Sequence, residues 1–160
     1  MILKLKDGNV LIELFDEIAP NHVERFKMLA KEKKYDGVVF HRVIDSFMAQ
    51  TGDVQFGNSN SESYDLKRVG TGGSKYPDLK SEFSELPHER GTLSMARSAD
   101  PNSANSQFFI CFKSAPNLDR QYTVFGKVVE GMEFVDLIKK GEGSNGEVSK
   151  PDKIISLLTK

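Results

Sequence analysis

Residues 40–53 read FHRVIDSFMAQTGD, and Arg42 is out of keeping with its neighbours. Val38, Val39, Phe40, Val43, Ile44, Phe47, Met48 and Ala49 are apolar or small, as in strands that face a core. A guanidinium keeps its charge and is rarely buried without partners. Arg42 therefore either faces solvent from a strand or lines a pocket that uses its donors.

The rest of the chain supplies a frame of short strands. Ile2, Leu3 and Leu5, the turn Asp7-Gly8-Asn9, and then Val10, Ile12 and Leu14 read as a β-hairpin. Pro20 opens a helical pattern with Val23, Phe26, Leu29 and Ala30 on one face. Lys31-Glu32-Lys33-Lys34 reads as its solvated last turn. A second helix is predicted from Met132 to Lys140, stopping at Gly141. Apolar runs at 38–44, 47–50, 91–96, 107–112 and 122–129 lie between the helices, and Lys153 to Leu158 reads as a closing strand. Many short strands with a helix near each end suggest a β-barrel or sandwich whose open ends are covered by helices. Residues 54–76 and 97–106 are small and polar, and read as loops on that frame, where sites gather.

Composition sets the boundaries. A chain of 160 residues with 38% hydrophobic and 28% charged residues suits one soluble globular domain, 1–160. The net charge of −1 argues against a broad basic face for nucleic acid or an anionic membrane. One cysteine, Cys111, excludes an internal disulfide. The opening MILKLKDGNV enters strand alternation directly, so a cytoplasmic protein is the expectation.

The familiar kinds of chemistry lack their parts. GTGGS at 70–74 has neither P-loop nor dinucleotide spacing and reads as a shaped turn. Ser94 and Ser106 sit in no nucleophile elbow, His41 reads as a hydrogen-bonded core histidine, and Cys111 as a small core residue. No HxH, HxxxH or DxD pair proposes a metal, and neither metal nor cofactor is expected. What remains is Arg42 and Gln50 flanking Phe47 and Met48, with Gln107 ahead of Phe108 and Phe109. If SFMAQ and SQFFICF are neighbouring strands, one face combines apolar side chains with amide and guanidinium donors. Such a face could hold an apolar ring and grip the adjoining backbone. Patterning alone leans to the plainer alternative, with the aromatics in the core and Arg42 on the surface.

FHRVIDSFMAQTGD, GTGG, GTLSMARS, SQFFICF and VFGKVVEGM, in this order, resemble the cyclophilin family of peptidyl-prolyl cis-trans isomerases. The wording is similar to that of bacterial single-domain members. The resemblance implies a mainly β fold, a closed eight-stranded antiparallel barrel capped by two α-helices. It implies that Arg42 is catalytic and that Phe47, Met48, Phe109 and Leu118 hold a proline ring. Gln50 and Gln107 match the family's amide residues, and Ala96, Arg97 and Ser98 the segment beside the bound peptide. Gly70 matches a glycine at the groove's edge. Expected partners are proline-containing peptides and folding proteins, with the chain a monomer. Two positions depart from the best-known eukaryotic pattern. Asn117 replaces a tryptophan, implying weaker cyclosporin binding, and Tyr122 replaces a histidine but keeps a flat pocket wall. Residues 54–69 form a longer segment than in compact members, read as a surface insertion rather than a substrate-facing flap. A proline-binding module without turnover and a nucleotide enzyme built on GTGGS are the rival readings.

Overall fold

The computed structural model describes residues 1–159. The alternation at the start becomes a hairpin of β1 (Ile2–Leu5) and β2 (Gly8–Leu14), with Leu3, Leu5, Val10 and Ile12 buried. Gly8 is required there because a Cβ would lie 2.5 Å from the Phe134 ring. α1 (Pro20–Lys31) begins at its proline and buries Val23, Phe26, Leu29 and Ala30. Its exit is tighter than predicted: Lys33 takes φ 59, so residues 32–34 form a left-handed exit turn rather than more helix. Phe26 meets the rings of Tyr35, Phe108 and Phe125 at 5.4, 5.0 and 5.1 Å, the aromatic centre of the core.

The remaining strands are β3 (Arg42–Ile44), β4 (Met48–Thr51), β5 (Thr92–Met95), β6 (Phe108–Cys111), β7 (Val124–Glu130) and β8 (Ser156–Leu158). α2 (Met132–Asp136) is shorter than the predicted 132–140. Its last turn tightens into i→i+3 bonds from Leu137 and Ile138, and the Lys140 ammonium donates to the Asp136 and Ile138 carbonyls.

All eight strands join one antiparallel sheet in the order β3-β4-β6-β5-β7-β2-β1-β8. Register shifts in the β2–β7 and β5–β7 pairs sharpen its curl. The expected closed barrel is corrected here: β3 and β8 end the order, and the sheet is an open half-barrel. The Val39–Lys153 bridge and the bonds from Gly37 N to Ile154 O, Phe40 N to Asp152 O and Ile154 N to Val38 O span the seam between the segments that precede β3 and β8. The two edge strands themselves are three residues long and do not pair, and Pro151, next to the last seam bond at Asp152, has no N–H to extend it. The outer edge of β3 is not bare. Val43 N donates to Gly146 O, Gly141 N to Val43 O, and Val148 N to His41 O, so the 141–148 segment runs along it.

β4 and β6 are buried on both faces. Ala49, Phe108 and Ile110 face the main core. Met48, Phe109 and Cys111 face outward, into a second small cluster with Ala115 and Leu118. That outer cluster is the floor of the site.

Candidate active site

Strand pairing brings the separated motifs into one row: Arg42 lies opposite Gln50, Gln50 opposite Phe109, and Phe109 opposite Ser94. A groove runs over this row in two joined cavities. The larger, about 500 Å3, holds Arg42, Phe47, Met48, Phe109, Leu118 and Tyr122. The smaller, about 250 Å3, holds Ser98 and Gln107, and Gln50, Gly70, Ala96 and Arg97 line both. All twelve site residues expected from the sequence therefore share one groove. The surface alternative for Arg42 falls, and the aromatic alternative divides: Phe108 is core and Phe109 is groove.

Arg42 is half-buried and held on three sides. Nε donates to the Asn145 carbonyl at 2.9 Å, Nη2 to Asn145 Oδ1 at 3.3 Å, and Nη1 to Gln50 Oε1 at 3.2 Å. A guanidinium has five N–H donors, so two remain for an occupant of the groove. The polar chain continues across the floor. Gln50 Nε2 donates to Gln107 Oε1 at 3.1 Å, and Gln107 Nε2 to the Gly70 and Gly72 carbonyls, each at 2.9 Å. Leu118 is carried by a 3-10 turn, Pro116–Leu118, which leaves Asn117 exposed. Tyr122 packs edge-on to Phe109 with centroids 5.9 Å apart, and the Arg97 guanidinium covers its ring at 4.5 Å. Arg97 also donates to the Gln121, Ser98 and Ala99 carbonyls.

An apolar ring pocket beside a tethered guanidinium, carried on this half-barrel, is the arrangement that the motifs implied. The family model described as cyclophilin type peptidyl-prolyl cis-trans isomerase matches residues 1–159. The chain belongs to the cyclophilin family. A probable peptidyl-prolyl cis-trans isomerase of Brucella suis is 62% identical over 156 residues, covering 97% of this chain and 79% of that one. A peptidyl-prolyl cis-trans isomerase of Helicobacter pylori is 42% identical over 144 residues, 88% of this chain and 80% of the other. Among solved structures, a cyclophilin type isomerase of Cryptosporidium parvum, determined in the presence of the dipeptide Ala-Pro, aligns with TM-score 0.80 and 28% identity. That alignment covers 97% of this chain and 94% of that one. A cyclophilin of Hirschia baltica aligns at 0.78 with 27% identity, covering 97% and 71%.

The GTGGS turn of this cyclophilin has no donors left for an anion. The buried Asp53 carboxylate takes the N–H groups of Gly70 (2.8 Å) and Gly72 (3.0 Å) through Oδ2, and those of Gln55 and Phe56 through Oδ1. Thr71, Gly73 and Ser74 N–H groups go to Arg68 O, Gln55 Oε1 and Asn105 Oδ1. Gly70 sits at φ 97, and a Cβ on Gly72 would lie 2.5 Å from Asp53 Oδ1. The turn is shaped to be clamped, which removes the nucleotide reading.

Sequence reasoning missed several groups. Asn145 reaches Arg42 from 103 residues away, and no local signal marks it. Leu66, Lys67 and Val69 also line the large cavity, so the 54–69 segment faces the groove and is not a remote insertion. Behind Phe109 lies a buried line resembling a hydrolase triad: Asp119 to His88 Nδ1 at 3.0 Å and His88 Nε2 to Ser94 Oγ at 2.8 Å. Ser94 is fully buried, with its Oγ between His88 Nε2 and the Thr123 carbonyl (3.1 Å), so it meets no substrate. The His88 ring stacks on Phe109 at 6.1 Å and braces the pocket wall.

His41 is 8% exposed as expected, yet its Nδ1 has no hydrogen-bond partner. Burial pushes its pKa down to about 4, partly offset by Asp53. Burial also lowers His22 and His88, against the opposing pull of Glu82 and Asp119. All three are therefore favoured neutral in the folded state. An unfolded histidine titrates near 6.5, so their stabilisation is complete above that pH and is lost as pH falls through the folded values. For His41 the loss on going from about pH 7.5 to about pH 4.5 is expected to reach about 2 kcal/mol. Urea unfolding of the wild type and of His41→Phe at the two pH values checks this; equal acid sensitivity in both would remove His41 as a cause. Burial likewise raises the Cys111 thiol to about 12, consistent with its place in the outer cluster.

Proposed function

We propose that this groove catalyses rotation about Xaa-Pro bonds to assist folding, with Arg42 as the catalytic residue. The supporting observation is the guanidinium beside the ring pocket, tethered at three N–H groups with two left over. Amide resonance opposes rotation with a barrier of about 18–20 kcal/mol. Xaa-Pro isomers differ by only about 1 kcal/mol yet exchange over tens to hundreds of seconds. No bond need break; the site must fit the twisted imide better than either planar form. As the bond twists, the nitrogen lone pair leaves conjugation and becomes an acceptor. A donor already fixed beside the ring then stabilises that state without reorganising. Phe47, Met48, Phe109 and Leu118 clamp the proline so that the acyl side turns, while Gln50, Gln107 and the 96–98 segment guide the chain. The Ala-Pro dipeptide of the Cryptosporidium cyclophilin study supports this class of occupant. NMR exchange spectroscopy on a short Ala-Pro peptide tests the reading: accelerated cis–trans exchange is expected. Binding without acceleration would leave a proline-recognition module.

Cyclosporin is expected to bind more weakly than to tryptophan-bearing relatives. Exposed Asn117 offers no indole surface or N–H beside Leu118. Calorimetric titration of the wild type and of Asn117→Trp checks this, with tighter binding by the variant expected; equal affinities would overturn it.

A further inference from the structure

Residues 54–72 form a flap that is built rather than loose. Asp53 clamps both of its ends, Val39 N donates to Gly57 O, and Val38 bridges Asn58. Asp65 turns the outer part: Phe56 O accepts its N–H, its side chain accepts Lys67 N, and its carbonyl accepts Arg68 N and Val69 N. The Arg68 guanidinium lies over the Phe56 ring at 4.0 Å, locking this turn from outside. The turn holds Leu66, 43% exposed, and Lys67 at the rim of the large cavity.

The charges at that rim are unbalanced. Arg42, Lys67 and Arg97 line the cavity against one carboxylate, Glu147. Asn145, Gln50 and backbone carbonyls occupy the arginine donors but leave both charges uncancelled. Among the described residues, the Lys67 ammonium has no hydrogen-bond or ion-pair partner. The chain as a whole carries −1, so this local surplus is not a general property of the surface. We infer that the flap sets substrate preference, with Lys67 engaging an acidic side chain flanking the substrate proline and Leu66 covering its aliphatic stem. This rests on the isomerase reading of the groove.

The test is NMR-measured cis–trans exchange on alanine-based peptides carrying Glu or Lys immediately before or after proline. The Glu-to-Lys ratio of kcat/KM, taken within each protein, cancels any general loss of activity. At low salt the wild type is expected to favour Glu about fivefold at one flanking position, shrinking as salt screens the pair. The ratio should fall towards one in Lys67→Ala and reverse in Lys67→Glu. An unchanged ratio in both variants, with exchange still accelerated, overturns the inference and leaves the isomerase reading standing. Acceleration of no peptide by the wild type overturns both.

Discussion

Replacing Arg42 with alanine is expected to lower kcat/KM for Ala-Pro exchange about 100- to 1000-fold, the usual scale for removing one preorganised donor. Folding should be little disturbed, because Arg42 lies on a three-residue edge strand and is only half-buried. Arg42→Lys should recover only a small part of the loss. An ammonium lacks the fork that reaches Asn145 and Gln50 while keeping donors free for the groove. The measurement is NMR exchange on each variant beside its thermal unfolding curve. An alanine variant within a few-fold of wild type would move the catalytic role elsewhere in the groove.

Asp53→Asn should be the most damaging near-isosteric change in the flap, costing about 3 kcal/mol. The carboxylate serves two pairs of N–H donors with two oxygens. An amide keeps one oxygen, which can still turn Gln55 and Phe56, but presents an NH2 to the N–H groups of Gly70 and Gly72. Amide hydrogen exchange should therefore quicken at Gly70 and Gly72 and stay slow at Phe56. Even protection at both pairs would show that the clamp is not what holds the flap. Because Gln107 bonds the carbonyls of the same two glycines, exchange catalysis should fall as well.

The parts legible in the sequence are those whose signal is local. β1, β2 and α1 follow from alternation and from the spacing of Val23, Phe26 and Leu29, each buried on the face expected. Ten of the twelve site residues lie within motifs whose order is itself the signal, with Leu118 and Tyr122 between the last two, and pairing of β3, β4 and β6 brings Arg42, Met48, Gln50 and Phe109 together. Periodicity said nothing of whether β3 and β8 would meet. That depended on the shortness of the edge strands and on the missing N–H of Pro151 rather than on hydrophobicity. Asn145 and Lys67 were illegible for a different reason. Each lies in a polar loop of ordinary composition and acquires meaning only where the fold delivers it. The orphaned nitrogen of His41 shows the same limit, since a sequence reveals a histidine near a core but not which of its nitrogens finds a partner.

Under the proposed function the clients include incompletely folded chains, and the covering of β3 then has a consequence. Such chains are extended and rich in unpaired backbone groups, and a bare strand edge next to the groove would invite them to dock as a ninth strand. Once annealed by backbone pairing, a client would leave slowly and could template the next, turning a helper of folding into a seed for aggregates. The 141–148 segment already occupies the Val43 N–H and C=O beside Arg42. A client can be held there by its proline and side chains, but not stitched into the sheet, and so it can be let go.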